Sequence, residues 1–355
     1  MTAPLTAVWS DDCMAHHPTA EIWVGVRTPA AEVPERQPVI LDALRSAGAE
    51  FVAAVPHGDE LLAAVHDPGL LEQLREVWEQ WEEGGYREVP GQDRVVPYVF
   101  PTAAMLGGLP ARVPAAAHAR AGLWCYDTMT LVGPGTWRAA RAAVDAALTA
   151  ADLVTGGRTR LAYALCRPPG HHAAPAGYGG SCYLNNAAVA AEALRAAGYA
   201  KVAVLDIDAH HGNGTQSVFW ERPDVFYGSV HVDPGAGWFP HYLGFADETG
   251  SGDGAGATAN VPLAPGSGDA HWFAAVQRLC ERAREFGAEA LVVSLGVDAA
   301  ADDPESPLRV TASGYRETGR LLGALGLPTV AVQEGGYHLP TLGSLVVQTL
   351  TGLRG

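Results

Sequence analysis

The sequence predicts a single α/β domain on a doubly wound, mainly parallel sheet with helices on both faces and one long Gly/Pro-rich insert. Two observations predict the sheet. Short apolar runs recur along the 355 residues, and Ala/Leu/Arg-rich stretches with helical spacing separate many of them. That alternation belongs to parallel α/β architectures. The runs are also continuously apolar rather than alternating, as strands covered on both faces are.

The candidate strands are 6–10, 50–56, 161–166, 201–207, 225–230, 290–296 and 328–333. Helical stretches include 136–153, 186–198, 269–286 and 313–325. Residues 84–122 break the pattern, being rich in Gly and Pro with little periodicity. So long a segment inside a compact domain is read as a functional or mobile insert, with a tolerated surface loop as the alternative. Residues 241–260 are a second, Gly-rich loop. Neither reads as a linker and no repeat is visible, so 1–355 is taken as one domain.

Composition narrows the function classes. With 23 Lys+Arg against 39 Asp+Glu, the formal net charge is −16. An acidic surface weighs against non-specific nucleic-acid binding and suits cationic substrates or partners. The five cysteines are scattered and form no CxxC, which disfavours a disulfide scaffold or a cysteine-based zinc site and fits a reducing cytoplasm. The first residues lack a basic segment followed by a long apolar run, and no stretch has membrane-spanning length. Neither a signal peptide nor a membrane partner is expected.

The chemistry gathers where apolar runs stop. The run 161–166 leads into RPPGHHA with His171 and His172, and 201–207 into DAHHGNGT. The run 225–230 leads into HVDPGAGWFP, 290–296 into VDAAADDP with Asp298, and 328–333 into EGGYH with Tyr337. Open parallel sheets bind ligands outside the carboxyl ends of their strands, so these endings converge on one crevice. Asp208 and His210 stand two apart and face the same way on an extended strand end. With Asp298 they form a three-ligand oxygen and nitrogen set with an open position, the pattern of a hydrolytic zinc centre. A lone DxH is more often a structural hydrogen-bonding pair. One histidine of the 171–172 pair could take a proton from water, because imidazole titrates near neutrality; a capped turn is the alternative. Tyr337, after two glycines, could donate its hydroxyl into the crevice; a tyrosine taken alone is more often a core residue. The pair His16-His17 precedes a proline and reads as a solvated or rim feature.

The segments RPPGHHA, GGSCYLNNAAVAA, LDIDAHHGNGTQ, LVVSLGVDA and EGGYH resemble, in order, the motifs of the histone deacetylase superfamily, whose fold is arginase-like. The strong matches span 161–338. LWCYDTMTLVGPGTW (123–137) and WFPHYLGFADETGSGDGAGATAN (238–260) are similar to the bacterial acetylpolyamine amidohydrolase branch. The resemblance implies Asp208, His210 and Asp298 as zinc ligands, one ion per chain, with Fe(II) or Co(II) as other occupants of such a set. It implies His171 and His172 as the tandem catalytic histidines and Tyr337 as the residue polarising the substrate carbonyl. Asp206 then stands behind the first histidine and Asn213 behind the second, where some relatives carry Asp. A structural potassium ion is implied near Asp206, Asp208, His210, Ser229 and Val230.

The implied substrate channel departs from the pattern. Relatives hold a linear chain between two aromatic walls; Phe239 keeps one, whereas Ser181, after Gly180, replaces the other. Tyr178 or the 84–122 insert is expected to refill the space. Asp127 matches a rim carboxylate that could hold a cationic amine, a turn cap being equally compatible. In the acetylpolyamine branch an insert in this region builds a homodimer and narrows the entrance. The expectation is therefore a cytoplasmic zinc amidohydrolase acting on small acetylated amines. The rivals are an acetyl-lysine protein or peptide deacylase and a catalytically silent acyl-ligand binder. An arginase-like dimetal enzyme is disfavoured because Gly212 stands where a second-metal ligand is needed.

Overall fold

The computed structural model describes residues 4–355. Its strands are β1 (Thr6–Trp9), β2 (Glu21–Trp23), β3 (Val26–Thr28), β4 (Glu50–Ala53), β5 (Leu161–Ala164), β6 (Val202–Asp206), β7 (Val225–Val232), β8 (Thr258–Leu263), β9 (Ala290–Leu295) and β10 (Thr329–Gln333). Eight of them form one sheet in the order β4-β1-β5-β10-β9-β6-β7-β8, and every pairing in it is parallel. β2 and β3 form a separate antiparallel hairpin.

The continuous apolar runs are explained by cover on both faces. Successive strand residues point to opposite sides. Val202 and Val204 of β6 join one core with the helices Thr136–Thr155 and Asn186–Ala196. Ala203 and Leu205 join the other, with the helices Asp269–Phe286, Ala312–Gly323 and Leu339–Arg354. The alanines of Thr136–Thr155 let that helix lie close to the sheet at little cost in helix propensity.

All seven expected strands lie in the sheet. The eighth, β8, emerges at the end of the Gly-rich loop. Its residues TANVPL are neither continuously apolar nor strictly alternating, and they carry Pro262. An edge strand tolerates both features, because one side of it needs no ladder hydrogen bonds. The 84–122 insert is largely irregular but holds short helical segments at Tyr86–Glu88, Ala103–Leu106 and Ala117–Trp124. It is anchored by a Val95–Val132 bridge and by Trp81 Nε1 donating to the Gln92 carbonyl at 2.9 Å. His16 is buried, against expectation, with Nδ1 3.0 Å from Thr136 Oγ1; its neighbour His17 is exposed.

Helices Ala312–Gly323 and Leu339–Arg354 pack almost backbone to backbone. A methyl group on Gly319 would come 2.0 Å from the Thr349 carbonyl oxygen. Gly319→Ala is expected to destabilise the fold by about 1–3 kcal/mol, as overpacking does. A thermal unfolding curve shows this as a lowered midpoint.

Candidate active site

Four neighbouring strands, β5, β10, β9 and β6, end at the same edge of the sheet. The loops beyond the first three carry His171 and His172, Glu334 to Tyr337, and Asp298 respectively, and the end of β6 with the segment after it carries Asp206 to Asn213. The loop beyond β7 adds Phe239, and the β2–β3 hairpin adds Glu21 and Trp23.

The ligand atoms of Asp208, His210 and Asp298 lie within 4.8 Å of one another. His210 Nδ1 stands 3.0 Å from Asp298 Oδ2 and 3.3 Å from Asp208 Oδ1. The free oxygens are used to fix the loops: Gly335 N donates to Asp208 Oδ2 at 2.8 Å and Ala209 N to Asp298 Oδ1 at 2.7 Å. Two buried carboxylates thus share one imidazole. Burial and the adjacent Asp208 push the Asp298 carboxyl up to about 7. Burial opposes ionisation of Asp208 as well, but His171 and His210 hold it below the usual carboxylate range. Such an excess of anionic oxygen around one nitrogen fits a divalent cation of the zinc type.

The two histidines of the tandem stand in different surroundings. His171 Nδ1 lies 3.0 Å from Asp206 Oδ2, and Asp206 also accepts from Tyr227 at 3.2 Å. Burial disfavours the charged ring, yet the carboxylates of Asp206 and Asp208 raise His171 to about 10. His172 Nδ1 lies 2.7 Å from Asn213 Oδ1. Burial, then the charged ring of His171, hold His172 well below the ordinary imidazole value. A neutral amide behind this ring supplies orientation without charge. With Nδ1–H donated to Asn213, Nε2 is left as the basic atom. The two rings sit 4.0 Å apart between centroids, and Phe239 meets His172 edge-on at 4.8 Å.

Tyr337 lies against this group on a loop held from two sides. Asp303 Oδ2 accepts from Tyr337 N at 2.7 Å and His338 N at 3.2 Å. Arg36 donates to the carbonyls of Glu334 and Gly336, and its guanidinium lies 4.9 Å over the Tyr337 ring. Arg36 is in turn paired with Glu32 at 3.0 Å, and Glu32 with Arg167 at 2.8 Å, all three being buried. Glu334 Oε2 accepts from Gly170 N and His171 N, so it sets the backbone of the tandem pair. Sequence reasoning assigned no part to Glu32, Arg36, Arg167, Asp303 or Glu334. Their partners lie far off in sequence, so no local pattern marks them.

The centre opens into a cavity of about 690 Å³, within the roughly 300–1,000 Å³ usual for small-molecule clefts. His172, His210, Tyr337, Phe239, Gly180 and Ser181 line it. Tyr178 does not: its ring is buried and stacks on Tyr183 at 5.7 Å, because the Cys125–Tyr178 bridge turns it inward. No residue of 84–122 lines the cavity either, so within one chain neither expected filler occupies the wall. Asp127 is not a free rim carboxylate. It accepts from Met129 N, Thr130 N and Thr130 Oγ1 and holds Gly180 N at 2.6 Å, which is the turn-cap alternative. Ser229 pairs in register with Asp206, with Val230 next along β7. Of the expected potassium ligands, these three thus lie on adjoining strands. Val24, Ser181 and His241, the non-glycine residues with positive φ among those described, all line the cavity.

Fold and site together define a parallel α/β protein whose strands end at a polar cavity holding two adjacent histidines and an Asp-His-Asp cluster able to take a cation. The histone deacetylase domain model matches residues 30–353, and the chain belongs to the histone deacetylase family and is a deacetylase. It is 41% identical to an acetylpolyamine amidohydrolase of Mycoplana ramosa over 352 residues, covering 99% of this chain and 100% of the relative. Acetylpolyamine amidohydrolase 1 of Pseudomonas aeruginosa is 39% identical over 352 residues, with 99% of each chain covered. The crystal structure of an acetylpolyamine aminohydrolase from Burkholderia pseudomallei superposes with a TM-score of 0.90 at 40% identity, covering 98% of both chains.

A methyl group on Gly335 would come 2.5 Å from both Asp208 Oδ2 and Asp298 Oδ2. Gly335→Ala is expected to lower divalent-metal affinity about tenfold or more, on the scale seen when the supports of metal ligands are removed. Elemental analysis after dialysis against a chelating buffer measures it.

Proposed function

We propose that the protein is a metal-dependent amidohydrolase that removes acetyl groups from small cationic amines of the acetylpolyamine class. One observation carries this reading. The cavity joining His172, His210 and Tyr337 to solvent is lined by Glu21, Glu32 and Glu305, and by no lysine or arginine among the described residues. Glu32 is neutralised by its arginines, which leaves Glu21 and Glu305 to face a cation. Burial, with Glu305 and Asp127 adding to it, raises Glu21 to about 7. An approaching ammonium group would restore its charge and be bound by it. The printed names of the Mycoplana and Pseudomonas relatives support the same substrate class.

Asp208, His210 and Asp298 would hold the divalent ion, with zinc first and Fe(II) or Co(II) compatible. The ion would supply Lewis acidity to the acyl carbonyl and to the attacking water. His172 Nε2 takes the proton from that water as it attacks. Tyr337 donates a hydrogen bond to the oxygen on which negative charge develops. The leaving amine is protonated by a histidine of the tandem pair; Asp206 keeps His171 in the charged form suited to this. Asp206, Asp208, His210, Ser229 and Val230 are proposed to hold a potassium ion behind the site. Tyr98, Met105, Leu109 and Val113 of the insert are exposed apolar side chains, which suits a homodimer built through that segment. The five cysteines are free and buried, in keeping with a cytoplasmic enzyme.

Three tests follow from these roles. Metal-loaded enzyme is expected to favour N-acetylated diamines and polyamines over acetyl-lysine peptides in kcat/KM; the reverse preference overturns the substrate class. Tyr337→Phe is expected to bind metal normally and lose about 10²–10³-fold in kcat. The base His172 must be neutral, so activity falls as pH drops through its pKa. Asn213→Asp places a carboxylate at Nδ1 and raises that pKa, so the acidic limb of the kcat/KM profile is expected to move to higher pH. An unmoved limb removes His172 from the role of base.

A further inference from the structure

We propose that Ser181 is a specificity-determining residue. It opens the cavity wall beside the reacting centre, so that N-acetylated amines bearing a branch or ring close to the amide are accepted as well as straight-chain ones. This rests on the deacetylase reading above and deepens it by naming a substrate class.

The wall is built from two turns joined as one hydrogen-bonded unit. Asp127 accepts from Met129 N, Thr130 N and Gly180 N, and Thr130 Oγ1 accepts from Ser181 N at 2.8 Å. The backbone of the wall is therefore fixed. It also runs directly beside the chemistry. A methyl group on Gly180 would come 2.3 Å from His172 Cδ2 and 2.9 Å from Phe239 Cε1. Ser181, one residue further, lines the same cavity as His172, His210 and Tyr337.

The side chains on this fixed backbone are small or adaptable. Met129 and Ser181 line the cavity here, and a thioether reshapes itself to its neighbour. Phe239 of the lining is held edge-on to His172. Ser181 adopts φ +61°, where a side chain is strained and glycine is at ease. The position thus carries a side chain at the expense of backbone strain, yet among the smallest that fit. Its hydroxyl makes no hydrogen bond within the described residues, so it is free to meet a ligand. With Tyr178 turned inward and the insert absent from the lining, neither expected filler takes the place of a large side chain at position 181.

The test is a ratio. kcat/KM is measured for an N-acetylated straight-chain diamine and for diamines of equal charge carrying a methyl branch or a phenyl ring on the carbon next to the amide nitrogen. The wild type is expected to turn over both kinds within about tenfold. Ser181→Phe, or Ser181→Leu should the first not fold, is expected to lower the branched-to-straight ratio at least about tenfold, the size of effect a filled pocket gives. Ser181→Ala leaves the width unchanged and should keep that ratio within about threefold. A wild type acting on straight-chain substrates alone, or a narrowing variant that leaves the ratio unmoved, overturns the proposal. A wild type inert toward every acetylated amine overturns the deacetylase reading, and this one with it.

Discussion

Asp208 and Asp298 are the knot of the molecule. Each buried carboxylate turns one oxygen toward His210 Nδ1 and spends the other on a backbone N–H of a different loop, Gly335 and Ala209 respectively. Three loops from three neighbouring strands are therefore tied through the same two side chains. Charge this concentrated inside a protein is costly unless it is paired and hydrogen-bonded. The site's need for a cation and the loops' need for an anchor are met by the same atoms. The close approaches of Gly335 and Gly296 follow from it, since a side chain at either would collide with Asp208.

The adjacent histidines show how two identical residues are made unlike. His171 and His172 are adjacent in sequence, and their rings nearly touch. The difference lies behind them, in Asp206 for one and Asn213 for the other. A full negative charge at hydrogen-bond distance keeps the first imidazole protonated despite burial. A neutral amide leaves the second subject to burial and to the repulsion of the charged first, so it stays free to accept a proton.

Much of this was legible in the sequence because the strands announce themselves. A continuous apolar run followed at once by polar residues fixes both a central parallel strand and the end at which its loop emerges, so Asp206 to Asn213, His171, His172, Asp298 and Tyr337 could be placed at one edge before any coordinates. What stayed hidden depended on partners distant in sequence. Glu32, Arg36 and Arg167 brace the loop of Tyr337 across about three hundred residues, and no local period marks such a contact. Side-chain direction was equally hidden. Tyr178 lies three residues from Ser181, yet a bridge to Cys125 turns it into the core. The edge strand β8 was obscured by Pro262, which only an edge position makes tolerable.

The order of the strands sets the moment at which the enzyme becomes whole. β10 is the last strand of the sheet in sequence but lies between β5 and β9, and it delivers Glu334, Gly335 and Tyr337. Until the ribosome has released that segment, the sheet has a slot in its middle and Arg36 has no carbonyls to grip. Synthesis therefore cannot yield an active enzyme from the N-terminal end forward. The contacts that complete the crevice span almost the full sequence, and such long closures fold late. A chain cut short before β10 would carry Asp208, His210 and Asp298 but lack Tyr337 and the Gly335 N–H that holds Asp208.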